Sequence, residues 1–580
     1  MFEFDRRVRG RVAVVPVALA VLTVFAVLAA GARAARLDRP ADPVVLTGAD
    51  VPGLVGVAPQ RVVAFAWTGS AWNQIPVQVD ERKAIDLRAA YPATWNCGRN
   101  SFCFDPESTS RTLVYADPNT LVGADPNPMV DPDDEIAVMA RDAGSRFDGT
   151  VGPTGVIAGS RTAVQITDPL DGGTGYVYLF ASDGSRVPGA GAAPYVRYTF
   201  DLASGSYLST YRFAAGTNTE TSRVVTPSYA RVFTDRWQEP DLRIIQPGAG
   251  GVDILDRNEN QFAPDDCSRS SLTFAKGEGA FLTNTSGPVR AIRAYLGTNS
   301  GPMTEKQQIF YADREDDTIH LRVHAIPGII SYLDYSAAAA GMTYRDNHNR
   351  AGVTIDGVPD SVAAGPPAWE TVDGQQGALT SVLREDTTVA SAHVSSFYRD
   401  QLAPSVAPCE GDASFFGASG VWINGPIDAT AGANPPGRLI SYRTMFYDAP
   451  GHADGPARQA QVRAPLTSTV TSPGPPSNRF RVTSTMRQRR GYVSVTVTLP
   501  GPGALSGILR AGRARVGTAK LVVDRAGQRT LAVRVGSTGR RLAARHRWRL
   551  SVRLTISFTP NGGKTATHVV KGTIGRAVFR

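Results

Sequence analysis

An all-β, multi-domain architecture of β-sandwich type is what this 580-residue sequence predicts, and three observations carry the prediction. Gly (58) and Pro (40) are abundant while charged residues make up only 19%, a composition rich in turn formers yet not that of a disordered chain. Many short runs of Val, Ile, Thr and Tyr alternate apolar with polar positions, the two-residue period of a half-buried strand. No long helix-period stretch follows the N-terminal segment. The length leaves room for roughly two to four domains with cores of their own.

The N-terminus reads as an export signal. Arg6, Arg7, Arg9 and Arg11 precede an uncharged, apolar-rich run over residues 12–30, and Ala32 and Ala34 then supply an Ala-x-Ala site before Ala35. A basic flank, an apolar stretch and small residues are the parts of a secretory signal. The run is also nearly long enough to span a bilayer as a signal-anchor helix, which takes about 20 residues. Residues 1–34 are therefore expected to be a signal peptide or anchor, with the remainder extracellular or at the cell surface. The cysteines agree with that address, since an even number in an exported chain implies disulfides. With four present, the expected pairs are Cys97 with Cys103 and Cys267 with Cys409. None lies in a CxxC spacing, so zinc and redox chemistry are not indicated.

In chain order, residues 42–190 form an expected N-terminal β-domain. Residues 61–67 and 72–80 read as strands joined across Thr68-Gly69-Ser70, a hairpin signal. The stretch from Ile136 to Ala140 reads as a buried strand, and GTGYVYLFAS from Gly173 as another. Residues 195–465 form an expected larger β-sandwich-like domain, with strands at 279–285, 289–297, 318–328, 351–357 and 437–447. Closure by a Cys267–Cys409 bridge would make this region one folding unit. Residues 466–478, LTSTVTSPGPPSN, read as a Ser/Thr/Pro-rich linker. Beyond it the composition shifts: residues 478–580 hold 22 Lys and Arg against one acid, Asp524. The runs VSVTVTL, AKLVVD, RTLAVRV and WRLSVRLTISF alternate apolar and polar, so 479–580 is expected to be a basic immunoglobulin-like sandwich lacking a core disulfide.

The pattern VRAIRAYLG, NSGP, LRVHAIPG, DYS and GMTY, followed by GVTIDGVPD and CEGD, resembles a group of exported bacterial β-rich proteins of unassigned activity. The resemblance covers most of residues 40–460 and brings no catalytic residues with it. The C-terminal region looks like Arg-rich β-sandwich modules appended to secreted proteins of high-GC soil bacteria. What this implies is secretion and a modular build.

The densest collection of reactive side chains lies between Pro288 and Tyr344. From Thr318, Ile319, Leu321 and Val323 alternate with His320, Arg322 and His324, so a strand would turn the apolar set inward and the nitrogen-bearing set to one outer face. Imidazole works as acid or base near neutrality, and Arg can hold a carboxylate. The candidate catalytic residues are His324, Arg322, His320 and Tyr344, with Arg293, Asn299 and Glu305 as binding residues. With Tyr344 or Tyr335 donating a proton and Asn299 clamping a carboxylate, such a set suits β-elimination on a uronate polymer. The same alternation is equally that of the wetted face of a half-buried strand. A second cluster, Asp131, Asp133, Asp134 and Glu135, offers hard oxygen ligands to Ca²⁺, although its spacing is not that of an EF-hand. There is no GxSxG elbow, HExxH, Walker loop or GxGxxG, so common hydrolase, zinc-protease and nucleotide sites are not predicted.

The basic C-terminal region suits anionic polysaccharide or cell-wall polymer. Its few aromatics argue against base stacking and sequence-specific nucleic-acid binding, and membrane contact is expected only through an uncleaved N-terminal segment. Two functional expectations follow. One is an exported β-rich surface protein binding carbohydrate or another anionic surface polymer. The other is an extracellular polysaccharide lyase or glycoside hydrolase using the 290–348 His/Arg/Tyr cluster.

Overall fold

The computed structural model describes residues 37–90, 112–149, 151–190, 192–203, 219–245, 250–275, 280–298, 304–321, 326–427, 439–471, 478–523, 526–560 and 564–579. Strands dominate throughout, so the all-β, multi-sandwich architecture holds. No helix among the described residues is long and apolar enough to cross a membrane. The N-terminal signal segment and the pair Cys97 with Cys103 lie outside the described residues.

The first sandwich packs a three-stranded sheet against a five-stranded one. The former takes Pro43–Thr47, Glu135–Met139 and Gln78–Asp80; the latter runs Thr467–Thr471, Thr162–Thr167, Thr174–Ala181, Val62–Trp67 and Trp72–Ile75. Alternate residues meet in one core, with Val44, Leu46, Ile136 and Val138 against Val62, Ala64, Val164, Ile166, Val177 and Leu179. The hairpin across Thr68-Gly69-Ser70 forms, with Trp67 opposite Trp72. The expected single strand 72–80 does not. It breaks at Pro76, which has no N–H to give a ladder, and its two halves join different sheets. The expected linker also begins later than its composition indicates. Thr467–Thr471 pairs along its whole length with Thr162–Thr167, and Leu466 and Val470 pack on the first core.

The central region is built on a nine-stranded antiparallel sheet. Its order is Ala280–Ser286, Ala291–Leu296, Glu305–Phe310, Arg314–Leu321, Leu439–Asp448, Gly377–Thr387, Trp369–Gly374, Thr343–Asp346 and Val353–Thr354. Two further sheets cover its inner face. One is four-stranded, from Arg197–Thr199 to Asp241–Ile244; the other is five-stranded, centred on Ile326–Tyr335. Side chains of all three share a core that includes Val224, Phe233, Leu333, Phe310, Leu379 and Met445. The Cys267–Cys409 disulfide is present, with Cα atoms 5.2 Å apart and a sequence separation of 142. It ties the edge strand Asp266–Ser270 to the loop before Phe415–Ile427.

The inner face of this sandwich carries charge. Arg231 pairs with Glu239 and Glu315, Lys306 with Glu239, and Arg293 with Glu220, every partner being 0–1% exposed at its side chain. Asn258 and the Tyr447 hydroxyl donate to the same two acids, Glu239 and Glu315. Desolvating such ions costs several kcal/mol each unless partners restore their hydrogen bonds. Here the partners come from separate sheets, so the network fixes how the layers seat on one another.

The C-terminal sandwich has two four-stranded sheets. Gly503–Ala511 lies between Ala514–Val523 and Leu550–Pro560, with Ala566–Ile574 at the far edge. Val493, Val495, Leu505, Leu531, Leu554, Ile556 and Phe558 fill the middle.

Candidate functional site

The segment 314–321 is a strand, with Ile319 and Leu321 turned into the space between the sheets and His320 exposed on the opposite face. Arg322, His324 and Asn299 lie outside the described residues. Register places Glu305 directly opposite His320, and burial raises its carboxyl to about 7. On that face the next row holds Thr318, Tyr442 and Arg384, with the Arg384 guanidinium 3.9 Å from the Tyr442 ring centre.

The other two expected partners are elsewhere. Tyr344 is 0% exposed on the inner face; it donates to Asp346 and stacks on Tyr398. Three strands separate its own from that of His320. Arg293 also points inward, held bidentately by Glu220. The cluster near in sequence is thus divided between two faces of one sheet. Cross-strand register, summed over several strands, decides which face each residue takes. The inner hollow itself, beside Ile319, Lys306, Asp317, Glu385, Ser441 and Arg443, consists of adjoining voids of about 40 and about 30 Å³. A water fits such a space.

The acidic turn closes on itself. Asp134 accepts from the backbone N–H groups of Arg82 and Asp131, and Asp131 accepts from Asp133 N–H and Asn127. Glu135 is engaged by Arg82, Arg290 and Tyr115. Its neighbour Asp131 pushes the Asp133 carboxyl up to about 6. Among the described residues no group of three or more His, Cys, Asp or Glu is placed to hold a metal ion. In this structure Asp131 and Asp134 cap the turn and Glu135 joins ion pairs.

A different surface gathers side chains suited to recognition. The outer face of the five-stranded sheet carries Phe65 and Trp67 from one strand, Trp72 from the next, and Tyr176, Tyr178 and Phe180 from a third. The loop after Met139 adds Phe147. Its ring centre lies 4.7 Å from Trp67 and 4.5 Å from Trp72, and the two Trp rings are 5.2 Å apart. Tyr176 stacks along Tyr178 at 6.5 Å with planes inclined by 16°. Phe65, Tyr178 and Phe180 are buried beneath, whereas Trp67, Trp72, Phe147 and Tyr176 keep part of each ring open to solvent.

Local structure explains the convergence. Successive strand residues alternate faces, so FAW and YVYLF each deliver aromatics to one side. Gly144 lets the following loop close onto the sheet: a Cβ there would stand 2.5 Å from the Trp67 carbonyl oxygen, and Ser145 N–H donates to that oxygen at 2.7 Å. The Trp72 indole N–H is anchored on the Val151 carbonyl at 3.2 Å. Alongside the rings runs a polar row, Tyr176, Gln165 and Thr469, in direct register. Arg161 lies 5.6 Å over the Phe147 ring, and Arg146 pairs with Asp148 at the exposed rim. Period-two aromatics in FAW and YVYLF carried this signal in the sequence. Their convergence needed the pairing of Phe65 with Tyr178, which the sequence does not spell out.

No family model and no curated protein matches the chain. Among solved structures, a protein of Escherichia coli K12 provisionally assigned as an aldose 1-epimerase aligns at 13% identity and TM-score 0.21, covering 44% of this chain and all of that one. The native conformation of E. coli alpha-2-macroglobulin aligns at 10% identity and TM-score 0.13, covering 88% of this chain and 35% of that one.

Proposed function

We propose that this chain is an exported β-rich surface protein that binds carbohydrate on the aromatic face of its first sandwich. The observation that carries the reading is the convergence of Trp67, Trp72, Phe147 and Tyr176, part-open rings 4.5–5.2 Å apart for the first three, beside a hydroxyl- and amide-bearing row. Aromatic rings offer large, rigid apolar area with low ordering cost. The C–H face of a pyranose lies against such a ring while its hydroxyls reach sideways to Gln165, Thr469 and Arg161. An open face rather than a closed pocket suits a polymer. Export is supported by the Arg-flanked apolar run at residues 12–30.

The test is retention on a panel of neutral and acidic polysaccharides in affinity electrophoresis. Tyr176→Ala and Trp67→Ala should each weaken binding of the retained polymer about tenfold, with unchanged far-ultraviolet dichroism. Retention equal to wild type in both variants, or no retention of the wild type by any polymer, removes the reading.

A second reading has an observation of its own, Glu305 raised to about 7 and set opposite His320. An acid titrating near neutrality beside an imidazole fits proton transfer by a polysaccharide lyase or glycoside hydrolase. Release of new unsaturated or reducing ends, abolished in Glu305→Gln, supports it; absence of such ends across the panel rejects it.

A further inference from the structure

The outer face of one sheet in the C-terminal sandwich bears a row of cations. Register sets Arg515 opposite Arg510, Arg510 opposite Arg553, and Arg553 opposite Lys571. The row crosses all four strands of the sheet, and each of the four side chains is exposed. No ion pair reaches any of them among the described residues: Arg510 donates only to the Arg513 carbonyl. Like charges directly opposite on a sheet are destabilising. With strands about 4.8 Å apart, neighbouring charges in the row fall well within a Debye length of about 8 Å at physiological salt. Such an arrangement is costly in the free protein and relieved by a polyanion.

From this geometry we infer that the row is a docking track for a carboxylated polysaccharide laid across the strands. The cation interval matches one sugar ring, so a polymer carrying a carboxylate on each ring meets one guanidinium or ammonium per residue. Beside the row, on the same face, stand Thr518, Ile508, Thr555 and Val569, then Lys520, Ser506, Ser557 and Thr567. Hydroxyls there can bond sugar oxygens. No aromatic ring stands in either row to stack on a base, which disfavours single-stranded nucleic acid. Arg rather than Lys at three of the four positions suits bidentate grip on carboxylate. The track belongs to a different sandwich from the aromatic face and does not depend on it.

The experiment uses the full chain with polygalacturonate as probe, and dextran and duplex DNA as comparators, titrated over a salt series. Arg553→Gln with Lys571→Gln should weaken polygalacturonate binding at least tenfold and flatten its salt dependence. Arg540→Gln with Arg541→Gln, an equal charge change on the helix Ser537–Arg545, should alter it less than twofold. Dextran, which carries no carboxylate, should respond to neither double variant. Equal losses in the two double variants would show a diffuse charge effect and overturn the track. So would duplex DNA held as tightly as polygalacturonate, or a wild-type chain that does not retain polygalacturonate. Both pairs are exposed, and thermal melts should confirm that folding is kept.

Discussion

Between the sheets of the central sandwich, Arg231, Lys306, Glu239 and Glu315 are sealed from water and bonded to one another, whereas among the described residues no polar or charged side chain beyond Thr444 is buried. The C-terminal sandwich thus keeps an aliphatic and aromatic middle and carries its cations outside. The same β-architecture tolerates both solutions, with different consequences. An inward charge needs partners on every side and makes layer packing specific. An outward one needs none, and the surface that bears it is free to serve an external polyanion.

This contrast can be broken most sharply at Lys306. Lys306→Met leaves Glu239 short of a buried partner, and the expected loss is about 3–5 kcal/mol, read by urea unfolding. A loss below 1 kcal/mol, a threshold set against that same range, would mean the network adds little to the fold. Next is the bridge that closes the central region. Cys267→Ser with Cys409→Ser should cost about 2–5 kcal/mol, with hydrogen exchange rising in strands 255–270 and 415–427 and unchanged in 503–560. A uniform rise across all three segments would contradict the separation of the two sandwiches.

Acidity gives a third, intermediate effect. Burial raises Glu370 to about 7 and Glu259 and Glu385 to about 8, all from an ordinary 4.5. A carboxyl with a raised folded pKa binds its proton more tightly in the fold than in the unfolded chain. Its contribution is therefore most favourable below about 4.5 and is lost as pH climbs through 7 to 8. Hydrogen-exchange protection of the central strands should fall between pH 5 and pH 8, after correction for intrinsic exchange, while that of the C-terminal strands stays level. The smallest effect is expected at Arg553→Ser, an exposed position, where stability should move by no more than about 0.5 kcal/mol. A larger loss there would mean the outer row is structural.

Much of the fold was legible because its signals are local. Thr68-Gly69-Ser70 between two apolar runs gave a hairpin, the apolar tail after Asp134 gave a buried strand, and VSVTVTL gave an alternating strand with Val493, Val495 and Val497 inward. The even cysteine count allowed three pairings, and the preferred long-range one, Cys267 with Cys409, is formed. The site was less legible. Whether Arg293, Glu305 and Tyr344 share a face depends on registers added across several strands, and no single segment encodes that sum. Thr467–Thr471 was hidden for another reason: Ser and Thr serve linkers and edge strands alike, and only its partner at Thr162–Thr167 decides between them.

That late edge strand makes the first sandwich hostage to the order of synthesis. Its five-stranded sheet cannot be finished until the chain has emerged some 300 residues further on, past the whole central region. Until then Thr162–Thr167 presents an open row of hydrogen-bonding groups, which is a template for mispairing. Truncation before residue 467 would therefore yield a sticky first sandwich rather than a smaller intact one.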